Sequence, residues 1–130
     1  MVINVTWAVN GAFDKITAEI AALKQTVGDK ILKVIIETCY LNEEQKTALC
    51  RCVNEAGADF IKTSTGFGTV GAVMEDIELF KRHIGCGVRI KAAGGVRTRE
   101  DMVAFIEAGC DRIGTSGAVK VLAGETADGY

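Results

Sequence analysis

Ala58-Asp59-Phe60-Ile61-Lys62-Thr63-Ser64-Thr65-Gly66 carries an apolar run into a small, hydroxyl-rich turn, with a lysine at the junction. The run reads as a strand, and Gly66-Phe67-Gly68-Thr69-Val70-Gly71 as the glycine-rich turn that follows it. Lysine is almost never fully buried unless paired, because its charge is costly to desolvate. Lys62 therefore either snorkels to water from the strand end or works there as an amine, attacking a carbonyl. On this segment alone, snorkelling is the commoner outcome.

The same pattern repeats outward. Leu32-Lys33-Val34-Ile35-Ile36-Glu37 is a strand with apolar residues on both parities at its centre, as in a parallel strand covered on both faces. Gly87-Val88-Arg89-Ile90-Lys91 is another, running into Ala92-Ala93-Gly94-Gly95. Asp111-Arg112-Ile113-Gly114 is a short one, and Met1-Val2-Ile3-Asn4-Val5 reads as a strand that opens the chain.

Helices fill the gaps. Ile16, Ile20, Leu23 and Val27 recur at steps of 4, 3 and 4, and Gly28 stops that helix. Asn42 and Gln45 form a capping-box pair. Met74, Ile77 and Phe80 mark the next helix. Thr98 caps another, with Asp101 three residues on and Met102, Phe105 and Ile106 on its inner face. Ser116 starts the last, through Val119 and Leu122, and Trp7 reads as a core filler. The class is α/β, with about five strands. Lys33, Lys62 and Lys91 lie 29 residues apart in turn, one βα unit per step. Such alternation predicts a parallel sheet with right-handed crossovers, whose ligands bind at the carboxyl ends of the strands.

Composition narrows the function classes. The 130 residues suit one domain, read as residues 1–123 with a polar, mobile tail over 124–130. A net charge of -2 gives no basic field for nucleic acid. No run of 18 apolar residues and no signal-peptide pattern is present, which predicts a soluble, unexported protein with no membrane partner. Five irregularly spaced cysteines make a poor disulfide framework and fit reduced thiols in the cytoplasm. Cys50-Arg-Cys52 with a lone His83 makes a poor zinc site.

Three strand ends offer complementary chemistry. Lys62 and Lys91 are two ammonium groups on successive units. Brought close, they disfavour each other's charge, so at least one pKa falls and a neutral amine becomes available near pH 7. Gly94-Gly95-Val96 and Gly114-Thr115-Ser116 are turns through which backbone can approach a phosphate closely. Arg97 either adds charge to that site or sits idle at the surface.

The segments from Leu32 to Thr38, Ala58 to Gly66 and Ile90 to Thr98, with Ile113 to Ser116, resemble deoxyribose-phosphate aldolase from about Lys30 to Ser116. The resemblance implies a TIM (β/α)8 barrel, present here in part, and a class I aldolase. It implies reversible cleavage of 2-deoxyribose 5-phosphate to acetaldehyde and glyceraldehyde 3-phosphate, in deoxyribonucleotide catabolism. Lys62 matches the Schiff-base lysine and Lys91 the lysine that tunes it. Gly66, Gly94, Gly95 and Ser116 match the phosphate-contacting turns, and Lys33 a lysine near the substrate. Tyr130 matches a terminal tyrosine that assists proton transfer, or belongs to an idle tail. No metal or organic cofactor is implied.

A complete barrel needs about 250 residues. The resemblance begins in the fourth strand, so the first three strands and an acidic relay residue just before Met1 fall outside the chain. Thr6-Trp7-Ala8-Val9-Asn10 departs from the family's segment. The alternative reading is a catalytically impaired fragment serving phosphate binding or assembly, and a third is another Schiff-base aldolase acting on a different phosphorylated aldehyde. An open piece of barrel is expected to expose two strand edges and an apolar inner face. That predicts a homo-oligomer or a partner chain completing the barrel.

Overall fold

The computed structural model describes residues 1–124. Its frame is an all-parallel sheet in the order β1 (Lys33–Ile35), β2 (Phe60–Lys62), β3 (Arg89–Ala93), β4 (Arg112–Gly114). The crossovers are α3 (Glu43–Glu55), α4 (Met74–His83) and α5 (Arg99–Glu107). Two helices, α1 (Val5–Val9) and α2 (Phe13–Val27), precede the sheet, and α6 (Ala118–Leu122) follows it. These are successive βα units of a partial barrel.

Local signals set the boundaries. Asn42 and Gln45 close a capping box at α3, each accepting the other's backbone N–H at 2.9 Å. Thr98 and Asp101 do the same at α5. Gly28 ends α2 at a φ of 56°. Asp59 and Asp111, each one residue before a strand, accept a backbone N–H at the neighbouring strand: Leu32, just before β1, at 2.7 Å and Ile90, in β3, at 3.0 Å. Lys24 holds the Asp59 carboxylate at 2.8 Å and, with the Leu32 N–H, keeps its pKa below the usual carboxylate range. The Lys46–Asp76 pair, at 2.6 Å and largely buried, ties α3 to α4. Breaking such a pair from one side costs about 3–5 kcal/mol.

Three local expectations are corrected. The opening segment is no strand beyond one bridge, Val2 with Ile35. Asn4 instead caps α1 by accepting the Trp7 N–H at 3.1 Å, which turns the chain into a helix at Val5. The last helix begins at Ala118 rather than Ser116, with Gly117 as its cap. Ile106 is 57% exposed, so the inner face of α5 rests on Phe105, with Met102 packed beside it. Trp7 packs against the core, with the Lys15 ammonium 5.7 Å from its ring.

Alternation along the strands separates two faces. Val34, Ile36, Ile61, Ile90 and Ala92 enter the core with Ile16, Ile20, Leu49, Val53, Ile77 and Phe80 of the helices. Lys33, Phe60, Lys62, Arg89, Lys91 and Arg112 occupy the other parity. Phe60 is 0% exposed yet stands outside that core. Arg89 lies 4.2 Å from its ring centroid, Arg112 4.9 Å and Lys33 5.8 Å. The side expected to be apolar is therefore a field of five cations, three of which hold their charged heads over the one aromatic ring.

Candidate active site

Lys62 ends β2, and its register partners are Ile35 on β1 and Lys91 on β3. Strand pairing brings the two lysines together as the spacing predicts. Lys33 does not share that level. It pairs with Phe60, two residues earlier than Lys62, so it lies one layer lower on the same face. The β1–β2 register partners are 27 positions apart and the β2–β3 partners 29, so equal 29-residue spacing of the three lysines puts only Lys62 and Lys91 opposite each other.

Electrostatics follow from this placement. Burial lowers the pKa of Lys62, and the charge of Lys91 lowers it further. Glu37 opposes the shift, and Lys33 adds a smaller push in the same direction as Lys91. A lysine so placed offers more neutral amine near pH 7 than a solvated one.

A cleft of about 370 Å³ opens at the strand ends. Lys62, Thr65, Gly66, Gly94, Gly95, Gly114 and Ser116 line it, with Ala93, Val96 and Thr115. Gly94 and Gly95 both hold positive φ, 79° and 74°, where a side chain would strain the backbone. The result is bare main chain facing the cleft.

Adjacent turns brace this cradle. The Ala72 N–H donates to the carbonyls of Ala93 and Gly94, both at 3.1 Å. Gly71 lies so close that a Cβ there would meet the Gly94 carbonyl carbon at 2.3 Å. Thr115 donates its hydroxyl to the Val96 carbonyl at 2.9 Å, docking the β4 turn onto the β3 turn. Thr63, fully buried, bridges β2 and β3 by donating to the Ala93 carbonyl and accepting the Ala93 N–H.

The other expected residues lie apart. Arg97 is exposed and lines a neighbouring cleft with Gly95 and Thr69 to Ala72, not the one that holds Lys62. Tyr130 lies outside the described residues. Cys50 and Cys52 are both buried in α3, and burial pushes the Cys50 thiol up to about 12, so neither is a reactive group at neutral pH. Among the described residues no cluster of three His, Cys, Asp or Glu side chains could hold a metal ion. No helix among them is long and apolar enough to cross a membrane.

Sequence reasoning passed over Glu37. It is 5% exposed, and at φ 54° it is the one non-glycine residue with positive φ among those described. Its signal was a carboxylate at the end of an apolar strand, the same anomaly that drew attention to Lys62.

Strand-end lysines beside a glycine cradle, on parallel βα units, define the class: an aldolase-type barrel, here in part. The chain belongs to the DeoC/LacD aldolase family, whose model matches residues 1–123. Over its whole length it is 66% identical to a deoxyribose-phosphate aldolase of Clostridium botulinum. It spans 59% of that relative's length. Among solved structures it is similar to the aldolase QR15, with a TM-score of 0.89 and 38% identity over 95% of this chain and 56% of that one. It is also similar to the tetrameric deoxyribose phosphate aldolase of Aeropyrum pernix, at a TM-score of 0.78 and 32% identity, covering 85% and 49% of the two chains.

Proposed function

We propose that this chain carries the nucleophile, the tuning lysine and the phosphate cradle of a deoxyribose-phosphate aldolase. The observation that carries the reading is the register pairing of Lys62, which lines the glycine-rich cleft, with Lys91 on the next strand. In this reading the neutral Lys62 amine adds to the substrate's C1 aldehyde and loses water to form an iminium. The iminium draws electrons from the C2–C3 bond as the C3 hydroxyl gives up its proton. Glyceraldehyde 3-phosphate leaves, and an enamine stays on Lys62. Protonation at C2 and hydrolysis then release acetaldehyde and regenerate the amine.

Lys91 favours the neutral form of Lys62 and, in this reading, moves protons at the adjacent carbon. Gly66, Gly94, Gly95, Gly114 and Ser116 receive the 5-phosphate. Lys33, a layer below, adds positive potential without reaching the same level. Arg97 attracts the anion from the rim, and Tyr130 assists enamine protonation.

The cation-rich sheet face supports a partner. Two copies of that face would set five cations against five, which argues against closure by self-pairing through it. A covering chain that brings carboxylates, the rest of a barrel, suits it. We assign the chain to the cytoplasm on its reduced thiols.

Trapping tests the proposal. Incubation with acetaldehyde or 2-deoxyribose 5-phosphate, followed by borohydride reduction and peptide mass mapping, is expected to place the adduct on Lys62. Absence of any Lys62 adduct between pH 6 and 9 would sink it.

A further inference from the structure

Glu37 is a charged residue in a place that disfavours it twice. Its carboxylate is buried, and its backbone sits in the left-handed region that side chains rarely adopt. Such an arrangement persists only where the surroundings over-determine it. Here they do. The Thr65 N–H donates to Glu37 Oε1 at 3.1 Å, and the Thr65 hydroxyl donates to Glu37 Oε2. Thr65 Oγ1 in turn accepts the Phe67 N–H at 3.0 Å. A side chain on Gly68 would run into Cys39 Sγ at 2.7 Å and Glu37 Oε1 at 3.2 Å, so the loop folds over the carboxylate.

These contacts fix the Thr65–Gly66 turn, and both residues line the cleft that holds Lys62. We propose that Glu37 is a positioning residue for this site. Its carboxylate holds the Thr65–Gly66 turn in the shape that faces Lys62, and it sets an acidic group beside the turn that shares the cleft with that lysine. Each oxygen already accepts a bond from Thr65, which suits an anchor rather than a proton shuttle. The charged groups bearing on Lys62 are Lys91 from β3, Lys33 from β1 and Glu37 just beyond β1. Lys91 and Lys33 work against the ammonium form, and Glu37 alone of the three favours it.

This inference deepens the aldolase reading but is tested without aldehyde chemistry. Trace labelling with acetic anhydride across pH reads the titration of each lysine, and amide hydrogen exchange reads the turn. Glu37→Gln keeps the reach and removes the charge. It is expected to move the Lys62 labelling midpoint to lower pH while the Thr65 and Phe67 amides stay protected. Glu37→Asp keeps the charge and loses the reach. It is expected to speed exchange at Thr65 and Phe67 about tenfold, the size of one lost hydrogen bond. An unmoved Lys62 midpoint in a folded Glu37→Gln protein overturns the electrostatic half. Unchanged exchange in Glu37→Asp overturns the anchoring half. If either Glu37 variant fails to fold, Thr65→Ala decides. It leaves Glu37 in place but removes the hydroxyl bonded to its carboxylate, so the amide at position 65 is expected to exchange faster, and unchanged exchange there overturns the anchor. Failure of Lys62 to trap acetaldehyde would refute the aldolase reading and leave these outcomes intact.

Discussion

Lys62 stands directly across the β2–β3 ladder from Lys91, while Lys33 pairs with Phe60 one layer below. Equal spacing in sequence therefore does not give equal height on the sheet. Lys62 has one cationic neighbour at its own level on the adjoining strand, and that neighbour is the larger of the two cationic influences on it.

Removing that neighbour moves the pH dependence of imine formation. Lys91→Met deletes a charge that lowers the Lys62 pKa, so the pKa rises and less amine is free at pH 7. The borohydride-trapping rate against pH is expected to shift its rising limb to higher pH, with an unchanged plateau above it. A limb that stays in place would show that the Lys91 charge does not set the Lys62 pKa.

Lys62 also opposes stability. Its folded-state pKa lies below 10.5, the ordinary value of a solvated lysine, so the unfolded chain binds the proton more tightly. The cost is full below the lowered pKa, fades as pH rises toward 10.5, and is absent above it. Lys62→Met keeps the stem and removes the charge. Urea midpoints are expected to rise for this variant at pH 7 and to converge with the parent above pH 10.5, discounted for the half-exposed ammonium. A variant less stable than the parent at pH 7 would contradict this.

The fold was legible where periodicity and caps carry it. Asn42 with Gln45, Thr98 with Asp101 and Gly28 mark helix ends that the structure keeps. Lys62 and Lys91 were legible because ammonium groups inside apolar runs are anomalies that strand pairing then brings together. What failed was non-local or masked. Met1 to Val5 has strand composition, but Asn4 supplies a cap that turns it helical. The cationic face is hidden in the sequence because apolar content does not say which side a residue takes, and Arg89, Lys91 and Arg112 show their common side only once register is known. Arg97 follows the glycine turn by one residue, and the backbone there turns it to another cleft.

Gly71 tests how far the cradle depends on a neighbouring loop. A Cβ at this position would lie 2.3 to 2.8 Å from three backbone atoms of Gly94, and a backbone cannot rotate away as a side chain does. Gly71→Ala is expected to cost at least about 1–3 kcal/mol in urea denaturation, the range of an overpacked core site. It should also weaken protection of Lys62 from labelling by inorganic phosphate, because Gly94 moves. Unchanged stability would mean that the loop relaxes freely away from the cradle.

The cationic sheet face makes the last prediction. Arg89 and Arg112 flank the fully buried Phe60 ring, and carboxylates are the groups that best answer them across an interface. A complementing chain made from the remainder of the Clostridium botulinum relative is expected to bind this one, with an affinity that falls as salt rises from 0.05 to 0.5 M. That range takes the Debye length from above ~10 Å to a few ångströms. Arg112→Glu is expected to weaken the complex and flatten its salt dependence, since one attractive pair becomes repulsive. Sedimentation would read both effects. Binding that is indifferent to salt and to Arg112→Glu would place the contact elsewhere, on the strand edges or the helices, and would remove the cations of this face from the assembly.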